Sequence, residues 1–162
     1  MDNKHLYDLL KDNTAFTEKL VNTILDKKEL HIESCDLHIN VVPCIKAVMD
    51  NGDEVFIYGS KTDVSAEAAR MYSNQACYEA GDDRNSDIYL IFICDHDHFD
   101  TGNPVEWIVS RVVETGALFD DGLYMIYVNG QYNDDSEIGK LIQEMNQFWA
   151  YLVIYQLYIL YY

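Results

Sequence analysis

An unbroken apolar run, Ile88-Tyr89-Leu90-Ile91-Phe92-Ile93-Cys94, stands between acidic turns and constrains the fold more than any other stretch of the chain. A strand with one wet face alternates apolar and polar residues, whereas an unbroken run must be covered on both sides. The run therefore predicts a central strand with a layer of structure on each face of its sheet. The rest of the chain has to supply those layers.

Helical spacing supplies them. Leu6, Leu9 and Leu10 share one face, Asp12-Asn13-Thr14 offers a break and a cap, and Phe16, Leu20, Val21, Ile24 and Leu25 continue the stripe. A second helix is predicted from about Val64 to Ala80, capped by Asp63 or Ser65 and ended by Gly81. Asp134-Asp135-Ser136 caps a last helix striped by Ile138, Leu141, Ile142 and Met145. Strands fill the remainder. Leu30 to Val41 alternates, with an irregularity near Ser34-Cys35. Val41–Ser60 forms a hairpin whose Asn51-Gly52 tip suits positive φ. Val105, Trp107 and Val109 mark a strand near an edge, and Leu123–Asn129 gives another strand before Gly130. The expected fold is an α/β, three-layer-like sandwich with a mixed central sheet, entered as helix-strand-strand-strand-helix-strand.

Charge limits the function. With 28 acidic residues against 11 basic ones, the net charge is −17, and no basic run exists. Nucleic-acid binding draws much of its affinity from clustered Lys and Arg, so direct contact with DNA or RNA is not expected. A surface this acidic instead favours basic protein clefts. Cys35, Cys44, Cys77 and Cys94 contain no CxxC pair, which argues against a zinc knuckle and fits free thiols in a reducing cytoplasm. No basic segment followed by an apolar one opens the chain, so a secretory leader is not expected. One domain over residues 1–147 accounts for the pattern, followed by an apolar, aromatic segment over 148–162.

Several stretches resemble the PD-(D/E)XK nuclease superfamily, and within it the recombination-promoting nuclease and transposase family. Tyr89–Gly102 is similar to that family's strand and its acidic, Phe-containing, Gly-ended turn. Leu123–Asn129 looks like its later strand ending in Asn, and Arg70 and Tyr72 sit where its helix carries Arg and Tyr. The resemblance runs from about residue 6 to residue 147. It implies Mg²⁺-dependent phosphodiester cleavage, with an Asp on one hairpin strand and Glu-x-Gln or Glu-x-Lys on the next.

This chain lacks those residues. Anchored on Gly52, the family's Asp position holds Cys44, its Glu position Tyr58, and its Gln or Lys position Ser60. Slipping the first strand by one gives Ile45, which cannot bind a hard cation either. The resemblance thus leads to a catalytically inactive, nuclease-like protein with no metal and no cofactor, acting by binding. The expected role is an acidic inhibitor or regulator of a nucleic-acid enzyme. Its target would be a basic nucleic-acid-binding enzyme, as for anti-restriction and anti-CRISPR proteins, or an active nuclease relative. The rival expectation is a Mg²⁺-dependent DNA endonuclease with relocated acids, for which Glu67 is the fallback carboxylate.

Other constellations carry less. Cys94–Asp100 contains ligand-type side chains, but His96 and His98 alternate on a turn with no distant partner, so a surface turn is expected. Cys77 reads as a packed thiol. Acids recur in successive loops, and Asp95, Asp97, Asp100, Asp120 and Asp121 are candidate partner-binding residues if those loops converge at one end of the sheet. Trp149 and Tyr151, in the aromatic tail, are further candidates. That tail is shorter than the ~20 residues a bilayer requires, so membrane contact is not expected. Packing onto the sheet comes first, then a homodimer or partner interface. The family's chains continue further, which implies a truncated C-terminus here.

Overall fold

A computed structural model describes residues 3–39, 42–60, 64–80 and 86–147. Within them lie four helices and a six-stranded mixed sheet. The order is α1 (Asn3–Asp12), α2 (Thr14–Ile24), β1 (Ile32–His38), β2 (Cys44–Met49), β3 (Glu54–Ser60), α3 (Ala66–Ala80), β4 (Ile88–Cys94), β5 (Val105–Ile108), β6 (Leu123–Asn129) and α4 (137–147).

Strands lie side by side as β1-β2-β3-β4-β6-β5. The β1/β2, β2/β3 and β5/β6 pairs are antiparallel, while β3/β4 and β4/β6 are parallel. The apolar run is β4, one of the two middle strands, buried at every residue. Its odd-numbered members Tyr89, Ile91 and Ile93 join α1, α2 and α4 in one core, through residues such as Leu6, Leu20 and Ile142. Its even-numbered members Ile88, Leu90, Phe92 and Cys94 join α3 in the other, through Ala69 and Ala76. Helices on both faces are what the unbroken run demanded.

Local chemistry sets the boundaries. The Asn13 side chain accepts the Phe16 N–H at 3.1 Å and opens α2. Ser65 accepts the Ala68 N–H at 3.2 Å and caps α3, while Asp63 and Gly81 lie outside the described residues. Ser136 accepts the Gly139 N–H at 3.1 Å at the start of α4. The irregularity in β1 falls between Ile32 and Ser34, one step before the predicted place. At the hairpin tip only Gly52 has positive φ, +87°, and the Met49 N–H bonds the Asp53 carbonyl at 2.9 Å. The turn is thus a three-residue loop with glycine in the left-handed position, longer than the two-residue form.

One expectation needs correcting. β5 is the edge strand, but it stops at Ile108, and Val109 belongs to a projecting segment. Trp107 and Ile108 are both exposed, so the alternation read from Val105, Trp107 and Val109 does not describe burial. The C-terminal segment 148–162, with Trp149 and Tyr151, lies outside the described residues. Among the described residues no helix is long and apolar enough to cross a membrane.

Candidate functional site

Ile45 pairs with Ile57, so the next step of the same register sets Cys44 across from Tyr58. Both point to the α3 side of the sheet and both are buried, Cys44 at 0% and Tyr58 at 2% exposure. Burial pushes the Cys44 thiol up to about 11 and raises the Tyr58 phenol well above its ordinary value. At neutral pH the two positions therefore offer a neutral thiol and a neutral phenol.

Strand register builds an aromatic ladder there. Tyr58 pairs with Phe92 across β3/β4, and Phe92 pairs with Tyr127 across β4/β6. All three rings lie on the α3 side. Tyr58 and Phe92 stack with centroids 5.5 Å apart, and Phe92 lies 5.0 Å from Tyr127. Tyr72 of α3 covers the row, 4.8 Å from Tyr58 and 5.6 Å from Phe92. His98, from the turn after β4, stacks on Tyr127 at 4.7 Å and closes the far end. Each such pair contributes about 0.5–1.5 kcal/mol beyond the area it buries.

The helices fix this end of the sheet from both sides. On the opposite face, the Tyr7 hydroxyl of α1 donates to the Pro43 carbonyl at 2.8 Å and accepts the Gly59 N–H at 3.1 Å. One side chain thereby ties the start of β2 to the end of β3. Asn3 Nδ2 donates to the Gly59 carbonyl at 2.8 Å, and the approach is close enough that a Cβ on Gly59 would lie 2.7 Å from Asn3 Oδ1. A side chain here would have to displace Asn3 and Leu6.

α3 crosses the sheet instead of running along it. The Val64 carbonyl ahead of the helix accepts the Tyr127 hydroxyl of β6, Tyr72 sits over β3 and β4, and Glu79 reaches His38 of β1 at 3.1 Å. Glu67, in the first turn, is exposed at the β6 end of the helix. The helix acid in electrostatic reach of Cys44 and Tyr58 is Glu79, which sequence reasoning missed. Its signal was present: Glu79 follows Tyr72 by seven residues and Gln75 by four, hence on the same helical face. Gln75 Nε2 donates to Glu79 Oε1 at 3.2 Å.

This donor set does not suit a hard divalent cation. Mg²⁺ takes oxygen ligands in an octahedron and keeps several waters. Here a neutral thiol, a neutral phenol and stacked rings stand at the two strand positions, and the nearby carboxylate is shared with His38 and Gln75. Ser60 closes β3, but its side chain lies outside the described residues. Among the described residues no group of three or more His, Cys, Asp or Glu side chains has the geometry to hold a metal ion.

The candidate acidic residues divide between two ends of the sheet. Asp95, Asp97 and Asp100 follow the C-terminal end of β4, where Asp97 accepts the Gly102 N–H at 2.6 Å and Asp95 lies 2.8 Å from His96 Nδ1. Asp120 and Asp121 precede β6. Ile88 pairs with Leu123, so they share the opposite end with Asp87 and the Asn51-Gly52 turn. A seven-residue strand separates the two groups by roughly 20 Å. Asp120 accepts the Tyr124 hydroxyl at 2.6 Å, and Asp121 accepts from the Ser110 hydroxyl at 2.9 Å. One continuous rim through all five is not formed. Asp82 and Asp83, from the same series of loops, lie outside the described residues.

No protein-family model, no curated protein and no solved structure matches the chain.

Proposed function

We propose that this protein works by contact alone, as a nuclease-like frame without ion-gripping chemistry, and that it inhibits or regulates a nucleic-acid enzyme. The observation that carries the reading is the burial of Cys44 and Tyr58 on one face of the sheet, with the Tyr58 ring stacked on Tyr72. If the resemblance to PD-(D/E)XK nucleases holds, those two positions belong to the metal-binding carboxylates. A buried ring and a buried thiol there remove both the charge and the space that Mg²⁺ chemistry needs. The net charge of −17 supports a protein target with a basic cleft and disfavours nucleic acid itself.

The test is addition of the full chain to any nuclease encoded beside it and to a basic restriction endonuclease. The expected result is dose-dependent loss of cleavage that saturates near stoichiometric amounts. Unaffected cleavage by both, with no nuclease retained on the immobilised protein at low salt, would overturn the reading.

A Mg²⁺-dependent endonuclease with relocated acids is the second reading, and Glu79 beside Cys44 and Tyr58 is the observation in its favour. One carboxylate shared with His38 and Gln75 is a weak foundation for it. Plasmid nicking in Mg²⁺ or Mn²⁺, abolished by Glu79→Ala or Glu67→Ala, would establish it.

A further inference from the structure

Between β5 and β6 the chain leaves the sheet as a two-stranded finger over residues 109–122. Arg111 bridges Leu118, the Val112 N–H bonds the Ala117 carbonyl at 2.9 Å, and the Phe119 N–H bonds the Ser110 carbonyl at 2.9 Å. The tip is closed by the Arg111 guanidinium on the Gly116 carbonyl at 2.9 Å, with Gly116 at φ +67°. The base is pinned by the Ser110 hydroxyl on Asp121. Its shape is thus set before it meets anything, which lowers the ordering cost of binding.

Apolar side chains cover this finger without burying anything. Val113 is 92% exposed, Phe119 59% and Leu118 48%. Phe119 sits on the face of Ser110 and Val112, and Leu118 on the face of Arg111, so both faces of the ribbon carry exposed apolar surface. Trp107 and Ile108 of β5, at the root, extend it. These five large apolar side chains, exposed within thirteen residues on an element whose shape is already set, are a concentration suited to an interaction site.

Charge selects the occupant. Glu114 lies near the tip, Asp120 and Asp121 lie at the base, and all three are exposed, against the single Arg111. A second copy would bring the same acidic finger and another −17 to the contact. Anionic headgroups and nucleic acid are disfavoured on the same ground.

We infer that the finger inserts into a protein cleft with an apolar floor and a Lys- or Arg-rich lip. This rests on the reading of the protein as one that acts by contact, and gives that contact a place.

The probe is a fluorescent amphipathic Leu/Lys peptide, with its Leu/Glu counterpart as control, titrated with the full chain. The expected result is at least about tenfold preference for the Leu/Lys peptide, reduced by salt. A Val113→Ser/Phe119→Ser variant, which removes apolar surface but no charge, is expected to lose about tenfold of that binding. Glu114→Gln/Asp120→Asn, which leaves the Asp121 contacts at the base in place, should flatten the salt dependence. Equal binding of both peptides, or undiminished binding by the Val113/Phe119 variant, would overturn the inference. So would a wild-type dimer in sedimentation that this variant dissolves, or stronger capture by anionic vesicles than by the Leu/Lys peptide. Metal-dependent plasmid cleavage would defeat the contact reading separately, because the peptide titration does not depend on it.

Discussion

The ring of Tyr58 lies stacked on the ring of Tyr72, centroids 4.8 Å apart and planes 25° from parallel. A strand residue and a helix residue together fill the space above Cys44, and their contact turns this end of the sheet into core. The Tyr58 hydroxyl is buried there with no partner stronger than the Cys44 thiol. Such a group costs stability, so the ring and not the oxygen is the useful part.

Tyr58→Phe should therefore be neutral or stabilising, whereas Tyr58→Ala should cost about 3–5 kcal/mol through the cavity it leaves. Urea denaturation of both variants checks this. A Phe variant destabilised as much as the Ala variant would mean that the hydroxyl has a role the packing does not explain.

Placing an acid at position 58 should damage the fold. Tyr58→Glu places a carboxylate among Phe92, Tyr72 and Cys44, in reach of Glu79. An unpaired buried charge costs about 3–5 kcal/mol, or roughly 10 °C in a domain of this size. Thermal unfolding at neutral pH measures the loss, and part of it should be recovered below about pH 4, where carboxyls are neutral.

Cys44 should resist labelling. Its thiol is fully buried and pushed up to about 11, so a disulfide reagent at pH 8 should modify half-exposed Cys35 and Cys77 first and reach Cys44 only on unfolding. The thiol is kept neutral in the fold above its unfolded pKa. Its contribution to stability is therefore complete below about pH 8.5 and is lost as pH rises toward 11. Early, stoichiometric labelling of Cys44 in the native protein would contradict the packing described above.

Asp53 predicts the acid limb. It is buried, takes Lys27 Nζ at 3.0 Å, Asn51 Nδ2 at 2.8 Å and the Asp87 N–H at 3.0 Å, and so joins the loop after α2, the hairpin tip and the start of β4. Burial alone would raise its pKa, but those three donors hold it below the usual carboxylate range. A depressed carboxyl contributes stability that is complete above its unfolded value near 4 and vanishes as pH falls through its folded value. Asp53→Asn should remove that acid-linked loss and cost about 1–3 kcal/mol at pH 7. Stability curves of both proteins from pH 7 to pH 2 should converge at the acid end.

The layers were legible because β4 has no polar residue at all, and the caps were legible because Asn13, Ser65 and Ser136 sit directly ahead of apolar stripes. The facing of Cys44 and Tyr58 was not legible, because a two-residue Asn51-Gly52 turn would set Ile45 opposite Tyr58, and it is the extra loop residue that shifts the register by one. The finger was not legible either. Val112, Val113, Leu118 and Phe119 look like strand interior to any rule based on periodicity, and only the end of pairing at Ile108 reveals that they leave the sheet. The oblique path of α3 was equally silent, since helical spacing fixes a face but not a direction across the strands. Helical spacing alone therefore does not reveal that Glu79 is the helix acid near Cys44 and Tyr58.

The most direct measurement is a calorimetric titration of Mn²⁺ into the full chain at pH 7.5, with supercoiled plasmid cleavage followed in the same buffer. The expected result is no saturable heat of binding and no nicking, both for the protein as it stands and for Glu79→Ala. Stoichiometric Mn²⁺ binding with nicking that Glu79→Ala or Glu67→Ala abolishes would contradict a protein that works by contact alone.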